Sequence, residues 1–86
     1  MKKIVFSLHA LNKIQILSKH QIFVNKNLIT KTITKPDRIE GGYKNRLVAQ
    51  GVLDDKHLLR IVYEESQEEI KIITIYPGRR SRYEKD

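Results

Sequence analysis

The chain has 86 residues, no cysteine, and 17 lysine and arginine residues against 10 acidic ones, for a formal net charge of +7. This length allows one modest core, so residues 1–86 are read as a single domain of marginal stability, and the missing cysteines exclude a disulfide framework, a thiolate metal site and a cysteine nucleophile. Residues 1–36 hold seven lysines and no acid, whereas residues 37–86 hold ten basic and ten acidic residues, so all the net charge sits in the first part.

Met1 to Phe6 opens like a secretory leader, but Ser7, His9, Asn12 and Lys13 interrupt the apolar run and no small-residue cleavage site follows. The start is read as a mature N-terminus in a reducing cytoplasm. No apolar stretch approaches the roughly 20 residues needed to cross a bilayer, so no membrane association is expected. Lys2 to Phe6 is rich in β-branched and aromatic residues and predicts a first strand, with Ser7 placed to cap a helix from Leu8 to Lys19. On that helix Ala10, Leu11, Ile14 and Leu17 share a core-facing side, and His9, Lys13, Ile16 and His20 form a cationic stripe beside it. Asn25 predicts the cap of a second helix that runs to about Lys35, buries Leu28, Ile29, Thr32 and Ile33, and stops at Pro36.

Beyond Asp37 the pattern changes to strands over Tyr43 to Leu53, His57 to Tyr63 and Ile70 to Tyr76. Turn signals separate them at Asp54-Asp55-Lys56 and at Glu64 to Glu69, connections short enough for an antiparallel meander. The third strand is apolar on both faces and is expected to be central. Pro77-Gly78 is expected to end it, leaving Arg79-Arg80-Ser81-Arg82-Tyr83 as a dense basic tail near the sheet end.

Histidine is the first candidate for proton transfer near neutrality. His9 and His20 are eleven residues apart, roughly 16 Å along a helix, and cannot share a metal ion. No acid lies between them, so no metal or other cofactor is expected, and His57 is read as a surface or interface residue beside a turn. The tail combines arginine forks that bind phosphate oxygens in bidentate geometry with a tyrosine able to stack on a base or donate a proton. Arg60 lies in a strand between apolar neighbours; it either pairs with an acid such as Glu40 or Glu64 or points into a ligand cleft. Gly41-Gly42 lacks the context of a phosphate-cradling loop and reads as a turn, and Glu64 to Glu69 reads as a solvated hairpin tip.

The pattern Phe6-Ser7-Leu8-His9-Ala10, Lys13 four residues after the histidine, Lys35-Pro36-Asp37, Arg60-Ile61-Val62-Tyr63, and Ile72-Ile73-Thr74-Ile75-Tyr76-Pro77 with Arg80 and Tyr83 is distinctive. It resembles a small prokaryotic domain family of unknown function related to the RelE/ParE-like and BrnT-like toxins. The resemblance implies an α+β fold of one N-terminal strand, two helices and a curved antiparallel β-meander. It further implies a metal-independent endoribonuclease that activates the ribose 2′-hydroxyl, with His9, Arg60, Arg80 and Tyr83 as catalytic candidates. Lys13, His20, Arg79 and Arg82 are the expected RNA and phosphate contacts. RNA and an acidic antitoxin-like protein are the expected partners. Two alternatives remain: a non-catalytic basic module that binds nucleic acid or such a protein, and a ParE-like inhibitor of another protein.

Overall fold

A computed structural model of the chain describes residues 2–83. Its elements are β1 (Lys3–Phe6), α1 (Leu8–Lys19), α2 (Lys26–Thr34), β2 (Arg38–Gly41), a short 3-10 turn (Tyr43–Asn45), β3 (Leu47–Val52), β4 (His57–Glu65), β5 (Glu69–Arg79) and α3 (Arg80–Tyr83).

Both long helices start where a side chain satisfies an otherwise unpaired amide. The Ser7 hydroxyl accepts from Ala10 N at 3.0 Å and donates to the Ile73 carbonyl at 2.7 Å, so one group caps α1 and ties it to β5. Asn25 Oδ1 accepts from Leu28 N at 2.8 Å and caps α2 in the same way. At the other end of α1, Ile22 N donates to the Leu17 carbonyl across Gln21, whose φ of 63° supplies the left-handed residue that such helix ends require.

The strands form one five-stranded sheet in the order β1-β5-β4-β3-β2. Strands β2 to β5 pair antiparallel in chain order, as the meander predicts. The sheet is nonetheless mixed, because β1 runs parallel to β5, with Phe6 opposite Ile72. The two helices between β1 and the meander provide the crossover that a parallel pairing needs. Three further corrections concern strand limits, the first being that the strand expected from Tyr43 begins at Leu47, after the 3-10 turn of Tyr43–Asn45. Arg38–Gly41 forms an edge strand where a turn was expected, and β5 runs through Pro77-Gly78 to Arg79 instead of stopping there. Beyond Ile72 no β1 residue pairs with β5, and a sheet edge is where a strand tolerates proline.

Alternation sorts the strands into two faces. Ala49, Leu59, Ile61, Tyr63, Ile72 and Ile75 form the core with Ala10, Leu17, Val24 and Ile29 from the helical side. A fully buried isoleucine or leucine contributes about 1.5–3 kcal/mol, which makes this face the main source of stability. Gly51 lets α2 approach closely, since a Cβ there would lie 2.8 Å from Thr32 Cγ2. The opposite face carries Gln50, Arg60, Tyr76 and Gly78, and across its end lies α3. No helix among the described residues is long and apolar enough to cross a membrane.

Candidate functional site

On the face turned away from α1 and α2, β-pairing sets Gln50 opposite Arg60 and Arg60 opposite Tyr76, so three polar side chains from three adjacent strands meet. Arg60 Nε donates to the Tyr76 hydroxyl at 2.8 Å, Nη2 to Glu40 Oε2 at 3.2 Å, and Nη1 to Gln50 Oε1. The Tyr83 ring covers the guanidinium at 4.3 Å from its centroid. That ring also rests on Gly78, where a Cβ would lie 2.5 Å from Tyr83 Cε2, so only glycine admits this packing. Arg60 is 5 % exposed. Burial opposes its charge, but the hydrogen bonds to Tyr76 and Glu40 outweigh that effect and raise its pKa above the ordinary arginine value. The same arginine holds Glu40 below the usual carboxylate range, against the opposing effect of burial. Of the two partners the sequence allowed, Arg60 takes Glu40, while Glu64 faces Arg46 at 3.7 Å.

The second constellation lies at the end of the β4–β5 pair. Asp55, Lys56, His57, Arg79, Arg80 and Ser81 line an open depression of about 510 Å³. His57 and Arg79 are direct cross-strand partners, and Arg80 N donates to the Lys56 carbonyl at 3.0 Å. The backbone therefore holds three cations and an imidazole at one place. The turn before β4 is built by Asp54, whose Oδ1 accepts from the amides of Lys56 and His57 at 2.8 Å each. Its two carboxylate oxygens also lie 3.0 and 3.1 Å from His57 Nδ1. The Lys56 amide is the main cause of a lowered Asp54 pKa; burial opposes it and the His57 imidazole adds to it. An ionised carboxylate only accepts, so Nδ1 must carry the proton, and in the neutral ring Nε2 is then the acceptor.

The structure gathers some of the sequence candidates and separates others. Arg79 and Arg80 line the depression, and Arg60 and Tyr83 stack within the polar cluster. Arg82 is exposed, with its guanidinium 5.9 Å from the Tyr83 ring centroid. His9 and Lys13 belong to α1 and His20 is its C-terminal cap; the helix packs on the core face through Ala10 and Leu17, whereas Arg60 points to the opposite face. The expected convergence of His9 with Arg60 is therefore not formed. His57, expected as a surface or interface residue, and Asp54, expected only as part of a turn, instead form a pair at the depression. Their signal was an aspartate three residues before a histidine, within a turn whose amides need a side-chain acceptor.

Among the described residues, no group of three or more histidine, aspartate and glutamate side chains is arranged to hold a metal ion. No family model, curated protein or solved structure matches the chain. The chemistry available at the depression is anion binding by Lys56, Arg79 and Arg80, beside an imidazole whose orientation is fixed.

Proposed function

We propose that this chain is a toxin-like endoribonuclease that acts in the cytoplasm without a metal ion and holds the scissile phosphate in the depression at the end of β4 and β5. The observation that carries this reading is the placement of Lys56, Arg79 and Arg80 around His57 by sheet pairing. Guanidinium and ammonium groups bind phosphate oxygens and stabilise the added charge of a pentacoordinate phosphorus. The seven lysines of residues 1–36 supply long-range attraction to RNA, or to an acidic antitoxin-like protein that would neutralise the toxin. The order of one strand, two helices and antiparallel strands supports a RelE/ParE-like scaffold for this activity.

A second reading, a basic module that binds RNA without cutting it, is favoured by the Arg60 cluster. The arginine placed at the catalytic centre by resemblance spends its donors on Gln50, Glu40 and Tyr76 and is covered by Tyr83. Induced expression of the wild type and of an Arg79→Ala/Arg80→Ala variant separates the two. Growth arrest with loss of full-length RNA in the wild type alone supports the nuclease. Folded wild-type protein that leaves both growth and RNA intact rules it out.

A further inference from the structure

We propose that His57, oriented by Asp54, is the general base that takes the proton from the attacking ribose 2′-hydroxyl. This assignment rests on the ribonuclease reading above and names the proton acceptor at that site.

The sheet places this imidazole, and neither of the other two, among the cations. Arg79 faces His57 across the β4–β5 ladder, and Lys56 precedes it in the chain. Arg80 is tied to the Lys56 carbonyl through its own amide. His9 and His20 stand exposed at the two ends of α1, and neither lines the depression.

The ring is also prepared for the role. Asp54 fixes the turn through two backbone amides, and with the same carboxylate it engages Nδ1. This leaves Nε2 as the basic nitrogen, and it has no partner among the described residues. The His57 side chain is 31 % exposed and lines the depression, so its basic nitrogen remains open to substrate. A catalytic base needs such access, within hydrogen-bond reach of the proton it takes. Among the described residues, the charged groups around the ring are Asp54 and Asp55 on the turn, Lys56 beside it, and Arg79 and Arg80 at the end of β5 and the start of α3.

In the reaction, Nε2 of His57 takes the 2′-hydroxyl proton and a bond forms between the 2′-oxygen and phosphorus. The bond from phosphorus to the 5′-oxygen breaks. Its electron pair stays on that oxygen, which takes a proton from water. The imidazolium then returns its proton to solvent. The products are a 2′,3′-cyclic phosphate and a 5′-hydroxyl end, with no oxidant, reductant or metal consumed. Lys56, Arg79 and Arg80 offset the charge that builds on the equatorial oxygens. Asp54 touches no reacting atom and is a positioning residue.

The test uses the full chain and an end-labelled messenger RNA, presented both free and engaged on ribosomes. Wild type is compared with His57→Ala, His57→Gln and Asp54→Asn. Binding is measured separately on an RNA of the same sequence whose 2′-hydroxyls are methylated and cannot attack. Wild type is expected to leave 2′,3′-cyclic phosphate ends. Both His57 variants should lose about 10²–10⁴-fold in kcat while binding the methylated RNA within about threefold of wild type. Asp54→Asn keeps an acceptor for the turn amides but withdraws the carboxylate from Nδ1, so kcat should fall while KM holds. If His57→Gln cleaves at the wild-type rate, the assignment is overturned and the ribonuclease reading stands. If wild type cleaves neither form of RNA, both are overturned.

Discussion

The Arg60 guanidinium lies 4.3 Å from the centre of the Tyr83 ring, and this stack joins α3 to the middle of the sheet. Three further contacts, to Gln50, Glu40 and Tyr76, make Arg60 the link between β2, β3, β4 and β5. Arg60→Ala is expected to cost about 3–5 kcal/mol, because it leaves the Gln50 carbonyl oxygen and the Tyr76 hydroxyl without their donor. Arg60→Lys should also destabilise the protein, since one ammonium cannot span three partners in the geometry of a planar fork. Tyr83→Ala removes only the stack and should cost less, about 1–2 kcal/mol. Urea midpoints measure all three. An unchanged midpoint for Arg60→Ala would mean that the cluster does not hold the strands together.

Acid should loosen the same cluster. Glu40 has its pKa lowered from an ordinary 4.5, chiefly by the Arg60 hydrogen bond. The unfolded chain therefore takes up a proton at this group at higher pH than the folded one, and stability rises with pH through that interval. The contribution is complete above about pH 4.5 and disappears as pH falls through the lowered folded value. It is no more than about 1 kcal/mol, because the carboxylate is 40 % exposed. Stability measured against pH should lose this part of its slope in Glu40→Gln, with no change in slope above neutrality.

Much of the fold was legible because its signals are local. Ser7 and Asn25 announce their helices by what a cap must do for the next amides, and both cap as expected. Leu59, Ile61 and Tyr63 alternate along β4, a pattern that puts them on one face, and all three are core. The parallel union of β1 with β5 joins Phe6 to Ile72, and nothing near either residue encodes a pairing across that separation. Strand β2 escaped notice because Arg38-Ile39-Glu40-Gly41 has one apolar residue, and its pairing with β3 does not depend on an apolar stripe.

The candidate site was legible in part for a similar reason. Composition alone marked Arg79 and Arg80, and the pairing of β4 with β5 decides what they face. A strand rises about 3.3 Å per residue, so His57 sits roughly 10 Å along β4 from Arg60. The two belong to different constellations, and Arg60 is spent on the polar cluster.

Salt should weaken RNA binding in proportion to the phosphates neutralised. Three lining cations, Lys56, Arg79 and Arg80, predict a slope of about −2 in log affinity against log salt for single-stranded RNA. Arg79→Ala/Arg80→Ala should reduce that slope to about −0.7, with one of the three cations left. Fluorescence anisotropy over a series of salt concentrations measures both. An unchanged slope in the double variant would place the phosphate contacts elsewhere, on the lysines of residues 1–36.

In the proposed function RNA is held at the end of β4 and β5 and not along α1. This placement is tested most directly by titrating isotopically labelled protein with a short single-stranded oligoribonucleotide and following the backbone amide resonances. The largest shifts are expected at Lys56, His57, Arg79, Arg80 and Ser81, which line the depression with Asp55. Shifts confined to the stripe of His9, Lys13 and His20 would contradict it.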